Sequence, residues 1–269
     1  MTDLVDKWVL ITGAARGMGK RMAKRFGEEG ARIAAVDLAE DELNETVEEL
    51  QADGITVEPF VCDLSQRENI DSLRDEVHDE IGSVDIIVNN AGVVQGGQLE
   101  EISDEEDELT FDVNIKAVHW VTKKFLPDLK EAEDSHIIQM ASAAGMIGVP
   151  DQVVYSASKW FVIGFSRALR QELQSYGEDQ VNMTIVSPSL VDTGMFEGAE
   201  PPLLMPILQP DYMADKIVEA VKNNDLFVRE PFMLKLLPFF KGVLPIGAVD
   251  FMLDKLGARD LMNHWTGRS

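Results

Sequence analysis

Tyr155 and Lys159 stand four positions apart in "VVYSASKW" (153–160), a run of small residues. On a helix that spacing puts both on one face, one turn apart. A phenol titrates near ~10, too high to exchange protons readily at neutral pH. A fixed ammonium beside it favours the phenolate and lowers that value. The pair is therefore a candidate proton-transfer device. Taken alone, two polar residues on a helix surface is the better reading, because Tyr and Lys at this spacing are common. The rest of the chain has to decide.

A second group of residues has the chemistry of an anion site. "WVLIT" (8–12) leads into "TGAARGMGK", with Gly13, Gly17 and Gly19. A strand-to-helix turn presents backbone N–H groups and a positive helix end to a phosphate. Glycines permit the tight turn and the close approach of a pyrophosphate. The spacing is G-x-x-x-G-x-G rather than G-x-G-x-x-G, and an ordinary glycine-rich turn would read similarly. Its place between the first strand and the first helix favours dinucleotide binding. Asp37 ends the second apolar run, about 20 residues further on, where a carboxylate bonds the adenosine ribose hydroxyls. It would repel a 2′-phosphate, so NAD(H) is expected over NADP(H). Arg16 dissents, because its guanidinium could pair with that phosphate.

Those residues need a frame. Strands are expected at 8–12, 32–37, 56–62, 84–90, 135–141 and 181–187, with 225–228 a candidate seventh. Amphipathic helical patterns lie between them, with Asp or Ser near their starts and Gly near their ends. This alternation predicts βαβ units and a parallel sheet covered on both faces. No Pro/Ser/Gly-rich linker divides the chain, so residues 1–269 read as one doubly wound α/β (Rossmann) domain.

Composition narrows the partners. Forty-eight acidic against 24 basic residues give a formal charge of −24, which argues against nucleic acid or an anionic membrane surface. The lone Cys62 excludes an internal disulfide and points to a reducing compartment. It falls in an expected buried strand and reads as an inert thiol. His78, His119, His136 and His264 show no metal-ligand spacing, so no metal is expected. The N-terminus has no signal pattern, and no apolar run reaches the ~18 residues of a spanning helix. The expectation is a soluble, cytoplasmic protein with no transmembrane segment.

Taken together, "TGAARGMG", "CDL" (62–64), "NNAG" (89–92), Asn114 in "FDVNIKA", Ser142 in "MASAAG", "YSASK" (155–159) and "SPSLVDTGM" (187–195) resemble the short-chain dehydrogenase/reductase family in order and spacing. The motifs span roughly residues 7–195. The resemblance implies a general acid/base at Tyr155, a substrate-oxygen donor at Ser142, and Lys159 lowering the tyrosine pKa while binding the nicotinamide ribose. Asn114 would anchor a relay water. Cofactor contacts are implied at Met18, Asp63, Leu64, Asn90, Ala91, Gly92, Pro188, Val191 and Thr193. The opening question is then settled in favour of the proton device, with Ser142 aiding a developing oxyanion. One departure is Ser189, where the family usually has Gly after Pro188. The loop over the nicotinamide is expected to sit differently there.

The C-terminal third resembles the retinol dehydrogenase and related sterol or long-chain alcohol branch. Members there often carry an N-terminal membrane anchor; none precedes Trp8 in this sequence, so a soluble bacterial-type relative is expected. Residues 194–210, rich in Pro, Met and Leu, are expected to form a mobile lid, and 231–269 a C-terminal extension. Residues 231–253 suit two short helices packed on the domain or a partner subunit, or a lipophilic substrate entrance. Membrane-surface contact ranks third: Lys235 and Lys241 help it, while Pro238, Pro245 and the acidic whole oppose it. Met140, Met146 and Met195 read as filler of apolar space, and 100–108 as a solvated acidic helix start. The helix after Tyr155 is expected to pair with a second subunit, giving a homodimer or homotetramer.

The expected function is NAD(H)-dependent interconversion of a secondary or lipophilic primary alcohol and its carbonyl compound. The alternatives are a non-catalytic NAD-binding sensor or scaffold, an NADP(H)-dependent carbonyl reductase, and an epimerase or dehydratase of the extended branch. Ser142, Tyr155, Lys159 and Asn114 count against the sensor, since a pure binder needs no proton relay. The chain is short for the last.

Overall fold

The apolar runs become strands because branched residues without polar alternation suit a strand covered on both faces. The computed structural model describes residues 1–203, 205–258, 260–262 and 264–267. Leu204 of the expected lid and Arg259, Asn263, Arg268 and Ser269 of the extension lie outside the described residues. The strands are β1 (Trp8–Thr12), β2 (Arg32–Asp37), β3 (Val57–Val61), β4 (Ile86–Asn89), β5 (Ser135–Met140), β6 (Val181–Pro188) and β7 (Phe227–Glu230). They form one parallel sheet in the order β3-β2-β1-β4-β5-β6-β7. Pro59 sits in β3, an edge strand, where a missing N–H is tolerated. The chain reverses its path across the sheet between β1 and β4, and such a switch point opens a crevice at the carboxyl ends of the strands.

Helices α1 (Gly17–Glu28), α2 (Glu40–Ala52) and α7 (Pro210–Asn223) bury one face of the sheet. In α7 the buried Met213, Ala214, Ile217, Val218 and Val221 recur at helical spacing. Helices α3 (Arg67–Glu80), α5 (Val118–Glu131) and α6 (Val153–Ser175) cover the other face. Helix α4 (Asp104–Phe111) passes into α5 through a π-helical turn, Asp112–Ala117. Two further helices, α8 (Met233–Val243) and α9 (Ile246–Lys255), build a third apolar cluster away from the sheet.

Three local expectations change. Among the α-helices of the described residues, only Ser103 at α4 caps with its side chain, in a capping box with Glu106; Arg16, Ala39, Gln66, Gln152 and Gln209 do not. The bare start of α1 leaves its N–H groups facing the crevice, as an anion site requires. The glycines at the helix ends do behave as expected: Gly30, Gly54, Gly82 and Gly177 all have positive φ. The last strand begins at Phe227 rather than Asp225, because Asn224 (φ 58°) and Asp225 complete the end of α7, with Asp225 N–H donating to Ala220. Cys62 follows β3 instead of belonging to it, although it is buried as expected.

Candidate active site

Six strand ends deliver the residues of interest to one cleft of about 400 Å³. Its floor is the glycine turn. Gly13 (φ +67°) and Gly17 (φ +55°) hold left-handed conformations that side chains resist. A Cβ on Gly13 would stand 3.0 Å from Ala91 Cα and from Asn90 Nδ2. Arg16, Gly17 and Met18 continue this wall. Asp37, at the end of β2, accepts from the N–H groups of Ala15 (2.9 Å) and Ala39 (3.1 Å), which fixes its carboxylate beside the turn. Arg16 is not waiting beside it unpaired: it donates to Glu42 at 3.1 Å. Asp63 and Leu64 line the cleft after β3, and Asn90, Ala91 and Gly92 after β4.

The opposite wall carries Ser142, Tyr155 and Lys159. Ser142 begins a 3₁₀ turn (Ala143–Gly145) and accepts from the Ala144 N–H at 3.1 Å. That turn rests directly on α6, since a Cβ on Gly145 would stand 2.6 Å from the Lys159 carbonyl oxygen. Tyr155 and Lys159 lie on the buried face of α6, with the ammonium 5.6 Å from the phenol ring centre. Phe196 meets the Tyr155 ring edge-on, 6.0 Å between centres. Pro188, Ser189, Val191 and Thr193 complete the wall after β6.

The electrostatics differ from expectation. Burial pushes the Tyr155 phenol up to about 12, and a hydrogen bond with Ser142 offsets only part of that. The Lys159 ammonium donates to the Met140 carbonyl at 3.0 Å, and burial lowers it to about 8. This carries a consequence for stability. Unfolded lysine keeps its proton to 10.5 whereas folded Lys159 loses it near 8. Between those values the unfolded chain binds more protons, so the penalty shrinks and stability rises with pH. Lys159→Met is therefore expected to raise the melting temperature at neutral pH, by on the order of 2 kcal/mol of stability. The advantage over wild type should narrow above pH 8. Thermal unfolding across that range checks it, and a variant that melts lower at every pH would refute it.

Two of the expected site residues also have packing roles. Gly19 does not line the cleft: a Cβ there would stand 1.9 Å from the Gly13 carbonyl oxygen, so it is the place where α1 presses on the turn. Asn114 is fully buried in the π-helical turn. It clamps the backbone of Val93, accepting from its N–H at 2.9 Å and donating to its carbonyl at 2.8 Å, and donates to Ser158 Oγ at 3.2 Å. Ser189 has no positive φ, so a side chain replaces the usual glycine there without backbone strain.

Sequence reasoning missed Thr12 and Ser158. Thr12 Oγ accepts from the N–H groups of Asn90 and Ala91, both at 3.0 Å, and locks the ends of β1 and β4 together. Ser158 Oγ donates to the Tyr155 carbonyl at 2.7 Å. The available signals were a lone hydroxyl closing an apolar strand and a serine one turn after the tyrosine. Cys62 also lines the cleft; burial pushes its thiol up to about 11, which keeps it protonated. Among the described residues no cluster could hold a metal.

Known proteins decide the family. The short chain dehydrogenase profile matches residues 7–202. The chain belongs to the short chain dehydrogenase family. Mouse epidermal retinol dehydrogenase 2 is 36% identical, over 99% of this chain and 87% of its own length. Rat estradiol 17-beta-dehydrogenase 11 is 34% identical, over 93% and 84%. A short chain dehydrogenase/reductase from Burkholderia phymatum in complex with NAD superposes with a TM-score of 0.82 at 26% identity, over 94% of this chain and 97% of its own. A metagenomic short-chain oxidoreductase in complex with NADP gives 0.71 at 29%, over 85% and 96%. The chain is thus an oxidoreductase of this family with a nucleotide cleft, and the likeness to retinol and estradiol dehydrogenases runs through the C-terminal third.

That third packs against Tyr155 at the edge of the cleft. Tyr155, Met146, Met205, Leu234, Leu237, Val249, Leu253 and Met262 form one apolar cluster, with Phe196 and Trp265 packed on it. The expected lid is fastened to the extension by backbone hydrogen bonds: Leu203 to Leu256 (2.7 Å), Glu200 to Leu261 (2.9 Å) and Thr266 to Glu197 (3.0 Å). Any lid movement has to carry the extension with it.

Proposed function

We propose that this protein is an NAD(H)-dependent dehydrogenase interconverting an apolar alcohol and its carbonyl compound. The observation that carries the reading is the meeting of Ser142, Tyr155 and Lys159 on one wall of a cleft whose other wall is a glycine turn with Asp37. The cleft residues fit a dinucleotide: Gly13, Gly17 and Gly92 line it without side chains, and the start of α1, which no side chain caps, is free to meet its phosphates. When bound, the nicotinamide supplies the hydride acceptor and, oxidised, a positive charge near Tyr155.

The chain's own groups do the rest. Tyr155, held protonated by burial, donates to a carbonyl oxygen in reduction. It takes the alcohol proton in oxidation once positive charge nearby brings its pKa down. Ser142 donates to the substrate oxygen as charge develops there. Lys159, titrating near 8, sits where it can return a proton. The Asn114 side chain, engaged by Val93 and Ser158, holds the segment after β4 against α6. The apolar Leu109, Val113, Met195 and Phe196 that line the cleft favour a medium or large apolar substrate over a short polar one.

The test is a panel of alcohols and ketones, from short chains to sterols and retinoids, followed at the NADH absorbance with NAD(H) and NADP(H) in parallel. Turnover of the larger apolar members with NAD(H) is expected; turnover restricted to short polar alcohols would defeat the substrate reading. Asp37→Ala in the same panel should lower the NAD/NADP ratio of kcat/KM at least about tenfold, equal to ~1.4 kcal/mol. An unchanged ratio would remove Asp37 as the selector.

A further inference from the structure

Residues 194–198 turn between two left-handed glycines, Gly194 and Gly198, each with φ +80°. Side chains resist that conformation, so the sequence sets the reversal at both ends. Met195 and Phe196, at its middle, line the cleft. Phe196 meets the Tyr155 ring edge-on, and the phenol hydroxyl bonds Ser142. A substrate carbon served by those two oxygens therefore has Phe196 on its flank.

The tail of the chain holds this turn from behind. The Trp265 indole N–H donates to the Met195 carbonyl at 3.3 Å, and the Thr266 N–H donates to the Glu197 carbonyl at 3.0 Å. The approach is tightest at Gly198, where a Cβ would stand 2.0 Å from the His264 carbonyl oxygen. On its other side Trp265 presses on the segment after β4: a Cβ on Gly96 would stand 2.8 Å from Trp265 Cε3. Trp265 thus bridges the segments that follow β4 and β6, and it packs with Phe196 on the apolar cluster around Tyr155. One neutral hydrogen bond contributes modestly. An indole braced on one segment and bonded to the backbone of the other does more, because it fixes the turn that carries Phe196.

We infer that Phe196 selects substrates by their bulk at the reacting carbon, and that Trp265 is the positioning residue that keeps it in place. An apolar alcohol with a slim, unbranched carbinol passes beside the ring, whereas a branch or ring at that carbon meets it. The inference rests on the alcohol–carbonyl reading above and refines its substrate class.

The experiment compares kcat/KM for two eight-carbon alcohols, 1-octanol and cyclooctanol, using the nucleotide that wild type turns over. Phe196→Ala should raise the cyclooctanol to 1-octanol ratio at least about tenfold, the scale of discrimination in an apolar pocket. Trp265→Ala should move the ratio the same way by a smaller factor, and Trp265→Phe, which keeps a ring against Gly96, should restore part of it. Because Trp265 acts through Phe196, Trp265→Ala should change nothing further once Phe196 is replaced by alanine. The ratio is taken on one preparation and does not depend on how much of it is folded, so lost stability alone leaves it unmoved. Nucleotide affinity should stay within about twofold throughout, since the glycine turn and Asp37 lie across the cleft. An unchanged ratio in Phe196→Ala overturns the proposal. So does a Trp265→Ala effect that persists in full in the double variant. Wild type that turns over neither octanol nor any other apolar alcohol defeats the alcohol reading itself, and this proposal with it.

Discussion

Tyr155→Phe is expected to lower kcat/KM for every alcohol and carbonyl substrate by about 10³-fold, the scale of a lost general acid/base. The phenyl ring keeps the edge-on packing against Phe196 and the place beside Lys159, so the fold and the cleft remain. What disappears is the hydroxyl bonded to Ser142 and its proton. Nucleotide affinity should stay within about twofold, because the glycine turn and Asp37 lie across the cleft. Steady-state kinetics paired with titration of nucleotide binding separates the outcomes. Near-normal turnover would end the proposed proton transfer. A parallel loss of nucleotide binding would turn Tyr155 into a cofactor anchor.

The second large effect is structural. In Gly19→Ala the new methyl would lie 1.9 Å from the Gly13 carbonyl oxygen, 2.7 Å from Gly13 C and 2.9 Å from Ala14 Cα. These are backbone atoms of the turn itself, so no side chain can swing aside. Either α1 lifts from the sheet or the turn deforms. A destabilisation on the order of 3 kcal/mol and a loss of nucleotide affinity of about a hundredfold or more are expected together. Gly148→Ala is the control, since nothing lies within 4 Å of its Cβ position, and it should change neither quantity. Thermal unfolding and fluorescence titration measure both; a Gly19→Ala protein with wild-type melting and binding would contradict the packing described.

How much of this was legible beforehand depends on how local the cause is. The strands and the glycine turn were readable because burial on both faces and positive φ leave marks at single positions, as at β1 and Gly13. The Ser142, Tyr155 and Lys159 grouping came through spacing and resemblance. Thr12 and Ser158 were hidden because their partners, Asn90 and Asn114, are 78 and 44 residues away and appear only once β1 meets β4 and α6 meets the π-helical turn. The upward shift of Tyr155 was hidden for the same reason: sequence gives the distance between Tyr and Lys along a helix, and says nothing of the packing that buries them. Gly19 and Asn114 stood out in the motifs, but their packing on Gly13 and on Val93 was not legible, since a motif does not distinguish a wall from its buttress.

The bonds joining the 194–210 segment to the extension run from backbone to backbone, and this has a bearing on redesign. Such bonds do not depend on which side chains are present. Met205, Leu253 and Met262, which face the Tyr155 cluster from those same segments, can be exchanged for smaller or larger apolar residues while the framework that carries them keeps its attachment. The extension behaves as a fixed cassette with replaceable filling, so a library confined to those three positions should vary the apolar packing on Tyr155 while the cassette stays attached.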